Sequence, residues 1–404
     1  MKKLENFAMD QHNPYYNQAI TREYDLYKRT DDIRTPFYRD YSRIIFSQAY
    51  RRMKHKTQVF FAVNDDHVCT RNEHVNLVES ISYTIAKELG LNTELTKAIA
   101  TGHDIGHAPF GHGGEKILRK LSEEHGLGSF WHEKNSLYLA DSLEVLEDDH
   151  HHLHNLDLTY AVRDGIISHC GEMREKCIKP RKELIDLKKY NHPGEYEPWT
   201  YEGCVVKISD KIAYLGRDIE DALRLEIINE IQVEALRQKI NSRGKKLPAI
   251  NNGVLVNYFI QDVVHESSEM GIALSDDAFY KMHEIMNFNY REIYEIKRVK
   301  IHTNYVSLII NSIFDFLYDY GKSENLINGL KKDESHYPKL ISHYLTWLDK
   351  YALFKGQTRN PIYENEIVYD FKKDPLALEK SIIDYLAGMT DSFLLTSFNE
   401  LLSF

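Results

Sequence analysis

Asn72–Leu89 reads NEHVNLVESISYTIAKEL, with apolar residues at Val75, Val78, Ile81, Ile85, Ala86 and Leu89. Steps of three and four make a helical stripe, not the every-second-residue alternation of a strand. The same pattern recurs outward in both directions. Thr93–Thr101 is a short helix after a turn at Gly90, and Glu133–Leu146 is another with Leu137, Ala140, Leu143 and Val145 inward. Thr159–Ser168 and Cys204–Leu223 continue it, and Val306, Ile309, Ile310, Ile313, Phe316 and Leu317 form a strong late stripe. Ten prolines and 20 glycines in 404 residues leave long helices few breakers. The class is all-α. One stretch dissents: Thr57-Gln58-Val59-Phe60-Phe61 is β-prone and Asn64-Asp65-Asp66 turn-prone, which predicts a minor β-hairpin between Thr57 and Val68. Loops are expected at Gly126-Leu127-Gly128, over 179–198, and over 241–252 with its Arg243-Gly244-Lys245-Lys246 cluster.

The chain is long enough for a large core. Its net charge of −10 argues against a general nucleic-acid coat protein, so nucleic acid is not required as a partner. A local basic stretch opposes that charge: Arg34, Arg39, Arg43, Arg51, Arg52, Lys54 and Lys56. Four cysteines without a CxxC pair point to a reducing compartment. No apolar run approaches the roughly 20 residues that span a bilayer, and the first residues lack the apolar core of a signal peptide. The expectation is a cytoplasmic protein with no membrane partner. A soft boundary falls near Gly321, giving a 1–33 N-terminal segment, a 34–320 central unit, and a helical 321–404 region that is a candidate for oligomerisation.

Chemistry concentrates around His103-Asp104 at the end of a short helix. Side by side they offer a neutral nitrogen and an anionic oxygen, suited to a divalent cation of intermediate softness. Alone the dipeptide is weak evidence, since a capping Asp beside a surface His explains most such pairs. Its neighbours strengthen it. His74 lies on the inward stripe of Asn72–Leu89. Asp210 ends the apolar run Val205-Val206-Lys207-Ile208-Ser209. Two imidazoles and two carboxylates can hold a metal and leave coordination positions open.

The order His74, His103-Asp104, Asp210 resembles the HD superfamily of metal-dependent phosphohydrolases. Within it the chain is similar to the deoxynucleoside triphosphate triphosphohydrolases of the dGTPase type. The match is carried by 50–60 (YRRMKHKTQVF), 70–74 (TRNEH), 103–112 (HDIGHAPFGH) and 210–218 (DKIAYLGRD), and spans about 34–306. The resemblance implies an HD-domain helical phosphohydrolase fold with a helical C-terminal extension. It implies water attack at the α-phosphate of a dNTP, giving deoxynucleoside and tripolyphosphate, with preference for dGTP left open. His74, His103, Asp104 and Asp210 would hold one divalent metal ion per active site. Mn, Fe, Co, Ni or Zn suit that set, and Mg less well.

The same resemblance gives roles to other residues. His112 and Glu115 match the family's catalytic histidine and acidic residue, and at i and i+3 they share a helix face. His132 matches a second active-site histidine able to act as general acid. His107 is left between touching phosphate, supporting a ligand, and holding a second metal. Arg71 and Lys211 match phosphate or nucleotide contacts. Tyr214 and Asp218 match the residues that read the sugar, the ring excluding a 2′-hydroxyl and the carboxylate accepting from the 3′-OH. Arg52 and Met53 sit where relatives contact the nucleotide, and Tyr294 resembles a base-side aromatic. Family members form symmetric homo-oligomers, some with an allosteric nucleotide between subunits. Two other readings stay open: an HD phosphodiesterase or nucleotidase acting on another phosphoester, and a non-catalytic nucleotide sensor. The run Asp148-Asp149-His150-His151-His152-Leu153-His154 reads as a polar loop between helices.

Overall fold

Thr70 and Glu73 start the helix that the sequence marks most plainly. The Glu73 carboxylate accepts from the Thr70 N–H at 2.8 Å, and the Thr70 hydroxyl accepts from the Glu73 N–H, a reciprocal cap. The structure, a computed structural model, describes residues 2–24, 26, 32–61, 65, 67–171, 173, 175–322, 325–356 and 358–403. Its helices in chain order are α1 (Tyr16–Ala19), α2 (Pro36–Phe46), α3 (Gln48–Arg52), α4 (Arg71–Leu89), α5 (Thr93–Gly102) and α6 (Gly111–Glu124). Then come α7 (His132–Tyr138), α8 (Tyr160–Ser168), α9 (Tyr201–Arg224), α10 (Glu230–Ile240), α11 (Asn252–Glu266) and α12 (Asp276–Asn289). The last are α13 (Lys297–Tyr320), α14 (Leu326–Asp333), α15 (Pro338–Tyr351), α16 (Ala377–Gly388) and α17 (Asp391–Leu402). Three two-stranded ribbons complete it: β1 (Val145–Glu147) with β2 (Leu153–Asn155), β3 (Cys177–Ile178) with β4 (Ile272–Ala273), and β5 (Ala352–Leu353) with β6 (Tyr369–Asp370). Among the described residues, no helix is long and apolar enough to cross a membrane. The four cysteines are free thiols.

Two apolar cores organise these elements. The first gathers α4, α5, α8, α9, α11 and α12, and the whole stripe from Val75 to Leu89 is buried in it. The second joins α6 and α13 to α15, α16 and α17, with Val306, Ile309, Ile310, Ile313 and Leu317 buried against Ile382, Leu386 and Leu394. Leu4, Met9 and Ala19 of the N-terminal segment enter the first core. Glu202, at the start of α9, fastens that segment: its Oε1 accepts from Met9 N–H and Asn92 N–H, both at 2.9 Å.

Complete burial of Glu202 pushes its carboxyl up to about 7, against the pull of those two N–H groups. The folded chain therefore holds this proton to higher pH than the unfolded chain does. The stability it confers is present at low pH and is lost as pH rises through about 7. Glu202→Gln keeps the accepting oxygen and removes the charge. Its melting temperature should equal that of the wild type at pH 5 and exceed it by several degrees at pH 8, read by calorimetry; equal melting at both would sink this assignment.

Three local expectations change. Among the described residues of 57–68 the expected hairpin is not formed. Among the described residues that stretch makes one bridge, Thr57 to Thr70, and Asn64 and Asp66 lie outside the described residues. The carbonyls of Thr57 and Gln58 are taken instead by the Arg71 guanidinium, both at 3.2 Å. The helix expected over Glu133–Leu146 leaves regular α geometry after Tyr138, widens over Leu139–Leu143, and becomes β1. Its inward residues are buried as expected, but Val145 pairs with Asn155 across a ribbon. The histidine run is the turn of that hairpin, where Asp148 accepts from the His150 and His152 N–H groups at 2.8 and 2.9 Å.

Candidate active site

His74 projects from the first turn of α4, His103 stands just past the end of α5, and Asp210 sits in mid-α9. These helices pack on one another in the first core, which brings residues 136 positions apart into contact. His74 Nε2 lies 3.0 Å from Asp210 Oδ1, and His103 Nε2 lies 3.8 Å from the same oxygen. Ligand atoms of His74, His103 and Asp104 fall within 4.8 Å of one another. His103 Nδ1 donates to Ala100 O at 2.7 Å, which fixes the tautomer and leaves Nε2 with a free lone pair. That Nε2 is buried without a hydrogen-bond partner among the described residues. A buried, unpartnered nitrogen facing two carboxylates fits a bound divalent cation.

Electrostatics agree with that fit. Burial works to raise the Asp104 carboxyl, but His107 and Arg71 outweigh it and hold it well below the usual carboxylate range. For Asp210, burial is likewise outweighed, here by Lys211 and His74. Both are therefore anions. Arg71 Nη1 donates to Asp104 Oδ2 at 2.8 Å, and His107 Nε2 lies 3.2 Å from Asp104 Oδ1.

The loop from Asp104 to Phe110 leads directly to a second group of side chains. Gly106 is required here, because a Cβ would lie 2.1 Å from Ser136 N. Gly114 is required by the close approach of Pro109 O, which would lie 1.9 Å from any Cβ at that position. The His107 ring stacks on the His132 ring at 3.8 Å, and the His112 ring lies 5.7 Å from His107 and 6.2 Å from His132. His132 Nδ1 is 2.8 Å from Glu115 Oε2 and 3.4 Å from Glu133 Oε2. Burial works to lower the His132 pKa, but Glu133 and Glu115 push it up to about 9. His112 is exposed at the surface of the site. Desolvation by the surrounding protein, followed by the charge of Arg71, pushes its pKa down to about 4. One imidazole is thus kept charged and its neighbour neutral.

Other expected residues fall around this centre. Lys211 Nζ lies 3.4 Å from Asp210 Oδ2 and 5.9 Å from the centre of the half-buried Tyr214 ring. Asp218, one turn further along α9, accepts from the Tyr294 hydroxyl. Burial pushes the Asp218 carboxyl up to about 6, although the Tyr294 bond opposes it. Arg52 is paired with Glu144 at 2.7 Å rather than with the metal cluster, and Met53 is fully buried in the first core. Two side chains that the sequence reading did not single out also join the site, Glu133 and His169. The His169 ring meets the His103 ring edge-on at 4.9 Å, and its Nδ1 lies 2.6 Å from Ile166 O. A signal existed: Ile166-Ile167-Ser168-His169 ends an apolar helix just as Ile99-Ala100-Thr101-Gly102-His103 does.

The family model described as HD domain matches residues 71–215, from Arg71 to one residue past Tyr214. A deoxyguanosinetriphosphate triphosphohydrolase-like protein of Caldanaerobacter subterraneus subsp. tengcongensis is 31% identical over 374 residues, covering 92% of this chain and 86% of that protein. A protein of the same description from Desulfatibacillum aliphaticivorans is 37% identical over 290 residues, covering 70% and 74%. Another from Clostridium tetani is 29% identical over 377 residues, covering 92% and 86%.

Proposed function

We propose, on the premise that this chain belongs to the HD-domain family of deoxyguanosinetriphosphate triphosphohydrolase-like proteins, that it hydrolyses dNTPs to deoxynucleoside and tripolyphosphate. The observation that carries this reading is the adjacency of two differently tuned groups. A cluster of two imidazoles and two carboxylates lies beside a histidine–glutamate pair, with Arg71 and Lys211 at its edge. His74, His103, Asp104 and Asp210 would hold a divalent ion, which when bound would supply Lewis acidity at the α-phosphate. His132, held protonated by Glu133 and Glu115, is placed to give a proton to the leaving deoxynucleoside oxygen. His112, neutral, is placed to accept the proton of the water that attacks the same phosphate. Arg71 and Lys211 balance the charge of the triphosphate chain.

Sugar selection rests on Tyr214, Asp218 and Tyr294. The Tyr214 ring under the deoxyribose leaves no room for a 2′-hydroxyl, and Asp218, oriented by Tyr294, accepts from the 3′-OH. Under this reading the protein works as a homo-oligomer, for which native mass measurement is the check.

Purified protein is incubated with each dNTP and NTP and with Mn, Mg, Fe, Co, Ni or Zn in turn, and products are separated by chromatography. Tripolyphosphate and deoxynucleoside are expected in equal amounts, with ribonucleotides at least about tenfold slower. A chelator should abolish turnover, and re-addition of the ion should restore it. Release of a nucleoside monophosphate, or of phosphate without tripolyphosphate, rejects the triphosphohydrolase reading in favour of another phosphoester activity.

A further inference from the structure

The loop carrying the candidate histidines passes from one core to the other. Ile105 is buried in the first, and Ala108 and Phe110 in the second. At the crossing the backbone turns left-handed twice in succession, at Phe110 (φ 61°) and Gly111 (φ 57°), and α6 begins there with His112 as its second residue. A phenylalanine does not hold that conformation unaided.

What holds it comes from 281 residues later in the chain. Asp391, the first residue of α17 and only 5% exposed, turns both carboxylate oxygens onto this region. Oδ1 accepts from Phe110 N–H at 2.8 Å. Oδ2 accepts from Thr57 N–H at 3.0 Å and from the Thr57 hydroxyl at 2.6 Å. Thr57 in turn accepts from Arg71 with its carbonyl, and Arg71 holds Asp104. One carboxylate therefore fixes the turn into His112 and Glu115 and ties it to Thr57, while Arg71 is also held independently by Asp104 and Gln58 O. Its neighbours act alike. The buried Lys56 ammonium donates to His107 O and, at 3.1 Å, to Ala387 O at the end of α16. Asp384 of α16 accepts at 2.8 Å from Tyr138, on the helix that begins at His132.

We propose that Asp391 is a positioning residue, and that α16 and α17 brace the 104–112 loop so that His112 and Glu115 meet the substrate in register. Asp391 touches neither the candidate metal ligands nor the substrate site, so its loss slows the chemical step and leaves binding in place. This rests on the function proposed above.

Asp391→Asn keeps the shape, but its NH2 cannot accept, so either Phe110 N–H or Thr57 N–H loses its partner. Asp391→Glu keeps the charge at the start of α17 and displaces both oxygens by a methylene. For each, kcat on dGTP should fall about 10- to 100-fold, with KM within about threefold of wild type and bound metal unchanged. Deuterium exchange over 105–112 should accelerate at least about tenfold. Thr390→Ala is the control. It removes the cap that accepts from Phe393 N–H at 3.2 Å, weakens the same helix, and should leave kcat and that exchange unaltered. An unchanged kcat in the Asp391 variants, or an equal loss in Thr390→Ala, overturns the brace while the proposed activity stands. If the wild type hydrolyses no dNTP, the activity reading falls and exchange alone decides: faster exchange over 105–112 in either Asp391 variant upholds the brace, and unchanged exchange overturns it.

Discussion

Asp210→Ala is expected to lower kcat/KM for dGTP by at least about a thousandfold, equivalent to about 4 kcal/mol of transition-state stabilisation. Asp210 Oδ1 is the atom that both imidazole nitrogens approach, at 3.0 Å for His74 and 3.8 Å for His103. Removing it leaves two neutral nitrogens and one carboxylate, and that carboxylate is already shared with Arg71 and His107. Such a set has lost half its anionic charge, and a divalent ion should bind it far more weakly. Elemental analysis should show about one metal per chain in the wild type and almost none in the variant. Asp210→Asn should be nearly as inactive, because it retains the shape and an oxygen but not the charge. A variant that keeps both metal and turnover removes Asp210 from the ligand set. If the variant binds metal and nucleotide as the wild type does, and neither turns over, the non-catalytic sensor reading replaces the enzyme.

The parts of this site that were legible in the sequence are those set by local periodicity. His74 shares a stripe with Val78, Ile81 and Ile85, so its inward direction followed from the spacing, and it is 4% exposed. His103-Asp104 follows an apolar helix, and its burial could be read the same way. Asp210 was visible as a carboxylate beside an apolar run, but nothing local says that α9 lays it against α4. The motif resemblance supplied that pairing, and the packing of α4 on α9 is its physical counterpart.

What was not legible depends on contacts between distant segments. Thr57–Phe61 has the β-prone composition of a strand, yet Phe60 is buried in the first core while Phe61 packs edge-on against Phe110, 4.3 Å between ring centres, beside the second. A side chain from α4, Arg71, takes the carbonyls that a partner strand would have used. The turn after Tyr138 has the same kind of cause. The apolar spacing suits a helix through Leu146, but Tyr351 of α15 donates its hydroxyl to Leu143 O and β2 pairs with Val145. Lys56 looked like one cation in a basic stretch, whereas the fold buries it between His107 O and Ala387 O. In each case the deciding partner is a tertiary contact that apolar periodicity does not encode, and for Leu143 and Lys56 it lies far along the chain.

Glu115→Gln is expected to lower kcat about a hundredfold near pH 8 and to move the alkaline limb of the pH profile downward. Glu115 Oε2 lies 2.8 Å from His132 Nδ1, while its Oε1 accepts from Arg119, which itself donates to Phe130 O at 2.9 Å. The carboxylate is thus fixed from behind and aimed at the ring. Burial alone would lower the His132 pKa; the charges of Glu133 and Glu115 reverse that and raise it to about 9. The sign follows from which form works. A general acid must carry its proton, so wild-type turnover holds through neutral pH and is lost as pH rises through about 9. Without the Glu115 charge the same loss begins at lower pH, because burial is then opposed by Glu133 and Asp104 without Glu115. KM should change little, since the triphosphate is held by Arg71, Lys211 and the ion. His132→Ala should abolish the alkaline limb altogether and lose a comparable or larger factor in kcat. Should Glu115→Gln lower kcat by one factor at every pH from 6 to 10, leaving the limb in place, the carboxylate would be orienting the ring without setting its proton.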